Sequence, residues 1–261
     1  MELMKVQTWG VVTAMVLSIG LLTGCKPRNE PVIDKAESVQ QEKLNQIPLI
    51  QSKTVTVELA KPEVCVESGC TQFNLQTVNT NVDWINEYFD NRIKKTEPIA
   101  FSTEPNEKVN LSAKDASLNQ SSMTVRYMNQ WYNIATFVIN SYTFNSGAAH
   151  GLSHAEYVNF DLTHKKRISL QDILIQGVEG KVINALYDAN SNWLNDHSIT
   201  REKLQLSDNF YYGADGIVFV YPLYELASYA EGMTELVLPY QVSQVLIKPE
   251  YLPSLPNYKM P

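Results

Sequence analysis

The sequence predicts an α+β fold of antiparallel sheet with two principal helices. Three observations carry that prediction. Runs of alternating apolar and polar residues recur along the chain, as in Lys53–Leu59 and Gln72–Val78. Two longer stretches, near 82–93 and 179–194, instead hold apolar residues at helical spacing. Short turn signals such as Gly213-Ala-Asp-Gly216 join strand-like runs directly, which favours antiparallel neighbours over a parallel α/β sheet.

Taken in order, Lys53–Leu59 reads as a half-buried strand and Gln72–Val78 as its successor. Thr80 or Asn81 is placed to cap a helix whose Val82, Ile85, Tyr88, Phe89 and Ile93 share one face. Ser122–Met128 and Trp131–Tyr142 form two long strands with a turn expected at Asn129-Gln130, and Glu156–Leu162 adds another. Ile168–Leu174 reads as a helical turn capped by Ser169, with Asp172 at the favourable N-terminal end. Glu179–Leu194 is the clearest helix, its stripe being Val182, Ile183, Leu186, Ala189, Trp193 and Leu194. Phe210–Tyr212 and Ile217–Tyr221 make a hairpin, Leu223–Ala230 a helical turn after Pro222, Leu236–Leu238 a closing strand, and Gln241–Ile247 a last short helix. No repeat of solenoid period is visible.

The N-terminus carries an address. Lys5 precedes a mostly apolar run, Val11–Leu22, which is shorter than the roughly 20 residues of a membrane span and leads into Leu22-Thr-Gly-Cys25. This is the layout of a bacterial lipoprotein signal, with Cys25 as the lipidated residue. Lys26 after the cysteine favours the periplasmic face of the outer membrane in a Gram-negative cell, and otherwise the extracytoplasmic membrane surface. The expected organisation is a signal peptide over 1–24, a polar tether over 25–52 and an N-terminal subdomain over 53–165. A C-terminal subdomain over 166–250 and a tail over 251–261 complete it. With Cys25 assigned to lipid, Cys65 and Cys70 remain as an even pair in an exported chain and are expected to form a local disulfide. A formal charge of −7 without a basic cluster argues against a nucleic-acid partner and is compatible with a cationic protein partner.

Two stretches are less generic. Ser146-Gly147-Ala148-Ala149-His150-Gly151 is a glycine-flanked turn with tiny side chains that let backbones approach, and it follows an aromatic strand ending near Tyr142. Tyr221-Pro-Leu-Tyr224-Glu-Leu-Ala-Ser-Tyr229-Ala-Glu-Gly232 places Tyr224 and Tyr229 around a proline-initiated turn. With Asn159-Phe-Asp-Leu162 and Ile168-Ser-Leu-Gln-Asp-Ile173 between them, this ordered set resembles the extracytoplasmic region of the RsiV family. That family comprises lysozyme-binding anti-sigma factors, and the same non-catalytic region precedes the deacetylase domain of PdaC-type proteins. The resemblance spans most of residues 53–250 and is strongest over 142–240. It implies a binding module for a lysozyme-like muramidase or for peptidoglycan. This chain shows neither a sigma-binding segment nor a deacetylase domain, so signalling by the RsiV route is not expected of it.

The candidate binding residues are Tyr142, Gly147, His150, Gly151, Tyr224 and Tyr229. Clustered tyrosines offer ring faces and hydroxyls to sugar or protein, and Tyr157, Tyr211, Tyr212 and Tyr221 extend the set. His150 and His154 have the i, i+4 spacing of a helical metal pair, but the flanking glycines oppose a helix there and no zincin glutamate lies between them. Ser153 has no nucleophile elbow around it. No metal, cofactor or catalytic residue is therefore assigned, and a non-enzymatic binding or sensing module is expected. The alternatives are an envelope hydrolase that pairs His150 with a carboxylate such as Asp161, and a purely structural envelope lipoprotein. Asp161 with Asp172 and Glu225 with Glu231 are the carboxylate pairs such a hydrolase would draw on, although capping and solvated surface are the far commoner roles of such pairs.

Overall fold

The computed structural model describes residues 47–67, 69–105 and 118–253. Cys25, its signal and most of the tether lie outside the described residues. The α+β expectation holds: a seven-stranded sheet and a three-stranded sheet share the molecule with helices.

The long sheet contains β1 (Ser52–Thr56), β2 (Glu63–Val66), β3 (Gly69–Thr80), β4 (Leu118–Trp131), β5 (Ile134–Phe144), β6 (Leu152–Asp161) and β7 (Lys166–Ile168). Its order is β1-β3-β4-β5-β6-β7, with β2 pairing with β3 as well. All pairings are antiparallel except β3–β4, which run parallel from Cys70↔Leu118 to Gln76↔Thr124. The expected all-antiparallel sheet is corrected at that one pair. The helix α1 (Asp83–Thr96) lies between β3 and β4, and such a crossover lets the next strand enter in the same direction. Ile47–Ser52, assigned to the tether by composition, already belongs to the fold: Ile50 is buried, and its N–H donates to Gln130 Oε1 at 2.9 Å.

Several local expectations shift for identifiable reasons. The β4–β5 turn falls at Tyr132-Asn133, not at Asn129-Gln130, and Tyr132 takes a left-handed φ of 50°. Asn129 and Gln130 stay in β4 because their amides serve distant backbone. Asn129 donates to Tyr212 O, and Gln130 donates to Pro48 O and Tyr132 O. The N-cap of α1 is Val82, which has no side-chain cap. Thr80 and Asn86 instead bond one another, and Asn81 reaches back to Leu49 and Gln51. The predicted helix over 179–194 is two helices, α3 (Glu179–Ala189) and α4 (Ser191–Asp196), after the short α2 (Leu170–Ile173). The break is Asn190, whose Nδ2 donates to Leu186 O and Val237 O while its Oδ1 accepts from Val237 N. Leaving the helix there lets one amide tie α3 to the second sheet. Ser169 and Asp172 form the capping box that begins α2, as the sequence suggested.

The second sheet is β10 (Thr234–Pro239), β9 (Gly216–Tyr221) and β8 (Phe210–Tyr212), all antiparallel. It is followed by α5 (Tyr240–Ser243) and by a 3-10 turn at Pro249–Tyr251. At Gly216 the facing strand comes so close that a Cβ would meet the Leu238 carbonyl.

Two hydrophobic clusters result. One face of the long sheet packs Leu75, Val125, Phe137, Val158 and Phe160 against Ile85, Phe89 and Ile93 of α1, with Phe160 edge-on to Trp84, Tyr88 and Phe89. The other cluster joins Ile134 and Ile168 of the long sheet to Val182, Leu186, Phe210, Phe219 and Leu238. Asn159 links the layers from a buried position, accepting from Thr136 Oγ1 at 2.8 Å and donating to Phe210 O at 2.8 Å.

Candidate functional site

Strand alternation decides which side chains meet at the open end of the sheet. Registers Ser122↔Tyr142, Thr124↔Asn140, Tyr142↔Ser153 and Asn140↔Ala155 put Ser122, Thr124, Asn140, Tyr142, Ser153 and Ala155 on one face, opposite the α1 face. Further along the strands that face carries Ile134, Thr136 and Val138 and is buried. Here it carries hydroxyls and amides and lines an open concavity of about 280 Å³, with Met233 as its apolar wall. The Asn140 Nδ2 is buried and finds no hydrogen-bond partner among the described residues.

The segment between β9 and β10 folds over to complete the site. No α-helix forms over Leu223–Ala230, correcting the sequence expectation. Tyr224 has a left-handed φ of 68°, which breaks helical continuity, and a 3-10 turn forms only at Tyr229–Glu231. Ser228 and Glu231 close that turn as a capping box. Met233 accepts from the Ala155 N–H at 3.2 Å, and Asn209 accepts from Tyr157 N and donates to Ala155 O. These side chains satisfy the edge of β6 where the three-residue β7 stops.

This fold brings five of the six candidate residues together. The His150 ring stacks on Tyr229 with centroids 3.9 Å apart, and Tyr229 stacks on Tyr224 at 5.7 Å. The Tyr229 hydroxyl donates to Gly151 O at 2.9 Å, and the Tyr224 hydroxyl lies 3.4 Å from His150 Nε2. Gly151 is buried against the Tyr142 ring, which a Cβ there would strike. Gly147 is the exception: with φ of 87° and open space around it, it shapes the preceding turn. Tyr224 is 59% exposed, an aromatic ring held outward by a backbone conformation that disfavours residues with a Cβ.

The remaining tyrosines divide differently. Tyr212 and Tyr221 are core residues, and burial pushes both phenols far above their ordinary pKa. Tyr157 and Tyr211 stack on one another at 4.4 Å, and Tyr211 donates to Glu235. Among the described residues His150 meets the Gly151 carbonyl, the Tyr224 hydroxyl and the Tyr229 ring, and no carboxylate there is a hydrogen-bond partner of it. Asp161 is the buried last residue of β6, accepting from Asn133 Nδ2, Thr163 N, His164 N and the His164 ring. Burial raises its pKa, but the His164 bonds outweigh that and hold it below the ordinary carboxylate value. Asp172 and Glu231 are spent in capping boxes. His154 alternates to the α1 face with its register partner Ser141; it borders the concavity, but it is not among the contacts of His150. Cys65 and Cys70 are cross-strand partners in the β2–β3 hairpin and are disulfide-bonded. Glu63 lies beside them, but once both sulfurs are bonded to each other it is the only ligand of that trio left for a cation.

Ser122, Thr124, Asn140, Ser153 and Met233 are site residues that motif reading missed. For the four strand residues, the polar positions of alternating strands were the only signal, and alternation alone does not separate a binding face from a solvated one; Met233 stands outside any strand, just before β10.

The fold as a whole has counterparts among solved structures. A DUF3298 family protein from Pseudomonas aeruginosa PAO1 superposes with a TM-score of 0.58 at 20% identity, covering 80% of this chain and 99% of that one. A DUF3298 family member from Bacteroides fragilis NCTC 9343 gives 0.55 at 18% identity, covering 77% and 95%. At the level of sequence, residues 161–241 match the family model described as "Protein of unknown function (DUF3298)". That match begins at the end of β6 and includes the whole tyrosine segment. No curated protein matches the chain.

Proposed function

We propose that this chain is a non-enzymatic binding module of the bacterial envelope, lipid-anchored through Cys25, whose ligand is a glycan, with peptidoglycan as the candidate polymer. The observation that carries this reading is the His150–Tyr229–Tyr224 stack standing beside an uncharged floor of Ser122, Thr124, Asn140 and Ser153. A sugar ring has apolar C–H faces that pack on aromatic rings and hydroxyls that must be hydrogen-bonded when they leave water. A rigid aromatic wall over a neutral donor and acceptor surface meets both demands, as ligand sites generally combine apolar walls with a few placed polar groups. The buried Gly151 supports the wall by admitting the Tyr142 ring.

A lysozyme-like muramidase is the second reading. The formal charge of −7 and the resemblance to the RsiV family favour it.

Calorimetry of the purified full chain against soluble muropeptides and against lysozyme separates the two. Saturable muropeptide binding that Tyr229→Ala removes supports the glycan reading. Lysozyme binding without muropeptide binding supports the second, and binding to neither removes both. Incorporation of labelled fatty acid, abolished by Cys25→Ser, tests the anchor; an unlabelled wild-type chain overturns it.

A further inference from the structure

On the opposite face of the same sheet, three cations converge on one concavity. Arg92 and Lys95 come from the C-terminal half of α1, and Arg167 from β7. With Tyr88, Asn91 and Glu156 they line an open space of about 440 Å³. Glu156, only 19% exposed, bridges the two guanidiniums: Arg92 Nη2 donates to one carboxylate oxygen at 2.8 Å and Arg167 Nη2 approaches the other at 3.4 Å. Lys95 forms none of the ion pairs seen among the described residues.

We propose that this concavity is an anion site for a phosphate group. One arginine would suffice to neutralise Glu156. The second arginine and Lys95 leave positive charge in excess within one small space, on a chain whose formal charge is −7. Like charges held together repel, and an anion between them relieves that repulsion. Each guanidinium has five N–H donors in a planar fork, so the bonds to Glu156 leave donors to spare on both. Two excess positive charges match the dianion of a phosphate monoester better than a single carboxylate. Glu156 acts as a positioning residue, holding both forks while competing with the ligand for them.

Two sources present this chemistry: free phosphate, and the headgroup of an anionic lipid beneath a tethered domain. The test is calorimetry of the full chain in detergent with inorganic phosphate, dihexanoyl phosphatidic acid, dihexanoyl phosphatidylcholine and acetate as probes. Either of the first two should bind saturably and the last two should not. Phosphatidic acid binding without inorganic phosphate binding assigns the site to a lipid headgroup, and the reverse pattern to free phosphate. Lys95→Ala breaks no ion pair among the described residues and should weaken binding about fivefold to tenfold with unchanged circular dichroism. Glu156→Gln should strengthen it about tenfold, because it frees both guanidiniums. The proposal is overturned if neither phosphate probe binds wild type or Glu156→Gln, if acetate binds as well as phosphate, or if both variants leave the affinity unchanged. The site lies across the sheet from the tyrosine stack, so it stands or fails independently of the glycan reading.

Discussion

The two faces of the long sheet are built from the same strands and treat them oppositely. Toward α1, Phe137, Val158 and Phe160 form a continuous apolar surface that the helix covers. On the other face, the strand positions next to the second sheet are buried, Ile134 and Val138 together with the hydrogen-bonded pair Thr136 and Asn159, while those at the open end are Ser122, Thr124, Asn140 and Ser153. β5 and β6 pair without a register shift from one end of that face to the other, so along these strands the difference is carried by side chains. A valine at any of these open positions would suit a strand. The contrast shows a surface kept hydrogen-bonding, with an aromatic wall delivered to its edge by the Pro222–Gly232 segment. Packing covers the whole of one face, whereas on the other it covers the end next to the second sheet and leaves the open end polar.

Breaking the packed face should have the largest effect. Phe160 is fully buried and touches Trp84, Tyr88, Phe89 and Phe137. Phe160→Ala should cost about 3–5 kcal/mol, read as a lowered urea midpoint with little change in slope. Thr124→Val on the open face should stay within about 0.5 kcal/mol of wild type while losing muropeptide affinity. A large stability loss in Thr124→Val would show that this face is structural and erase the contrast.

The next largest effect belongs to the wall. Tyr229→Ala removes the ring between His150 and Tyr224 and should lower glycan affinity by roughly tenfold or more. Tyr229→Phe keeps both stacks and loses only the bond to Gly151 O, an expected stability cost of about 1 kcal/mol with most affinity retained. Equal affinities in the two variants would show that the ring does not contact the ligand.

A smaller effect sits in the scaffold at Asp172. Burial raises its pKa, but Lys166 Nζ at 2.7 Å and the Ser169 N–H and hydroxyl overcome that and hold it at about 2, against an ordinary 3.8. Its contribution is therefore present above the ordinary value and is lost as pH falls through about 2. Asp172→Ala should cost about 1 kcal/mol at neutral pH, and the gap from wild type should close in acid titration of thermal unfolding. A gap that persists at the acid end would assign the loss to packing rather than to the carboxylate.

The two faces also differ in how far the sequence reveals them. The stripe Val82, Ile85, Phe89 and Ile93 is periodic, local and apolar, so α1 and the face it covers could be read directly. The cap of α2 was equally plain in Ser169, and the structure adds that Asp172 completes it as a capping box. Misplaced boundaries share one cause, an amide whose partner is remote in sequence: Asn129 with Tyr212, Asn190 with Val237, Gln130 with Pro48. Turn propensity and helical periodicity are local rules and contain no information about those partners. The candidate site was half legible. His150, Gly151, Tyr224 and Tyr229 stood out as motifs, whereas the floor from β4, β5 and β6 emerges only from registers such as Thr124↔Asn140. The cations at Arg92, Lys95 and Arg167 were hidden for the same reason, since a helix and a distant strand contribute them.

The smallest expected effect tests what steadies the wall. Glu231 ends the turn that carries Tyr229, and its carboxylate accepts from His197 Nε2 at 2.6 Å, tying that turn to the end of α4. The Trp193 carbonyl, accepting from Nδ1, and then Glu231 raise the pKa of His197 above its ordinary 6.5. Conversely, His197 and Ser228 lower that of Glu231 below 4.5. The histidine's contribution is complete below its unfolded pKa and is lost as pH rises through the raised folded value. The glutamate's is complete above its unfolded pKa and is lost as pH falls through the lowered folded value. Both ends are charged and paired between about 4.5 and 6.5, so the difference in Tm between wild type and Glu231→Gln should peak within that window and shrink on either side. Muropeptide affinity should follow the same profile, because a loosened turn lets the Tyr229 ring leave its stack. A flat Tm difference across pH would mean that the tie is a surface contact without mechanical consequence. A Tm peak without a matching affinity peak would separate the stability of the turn from the work of the wall.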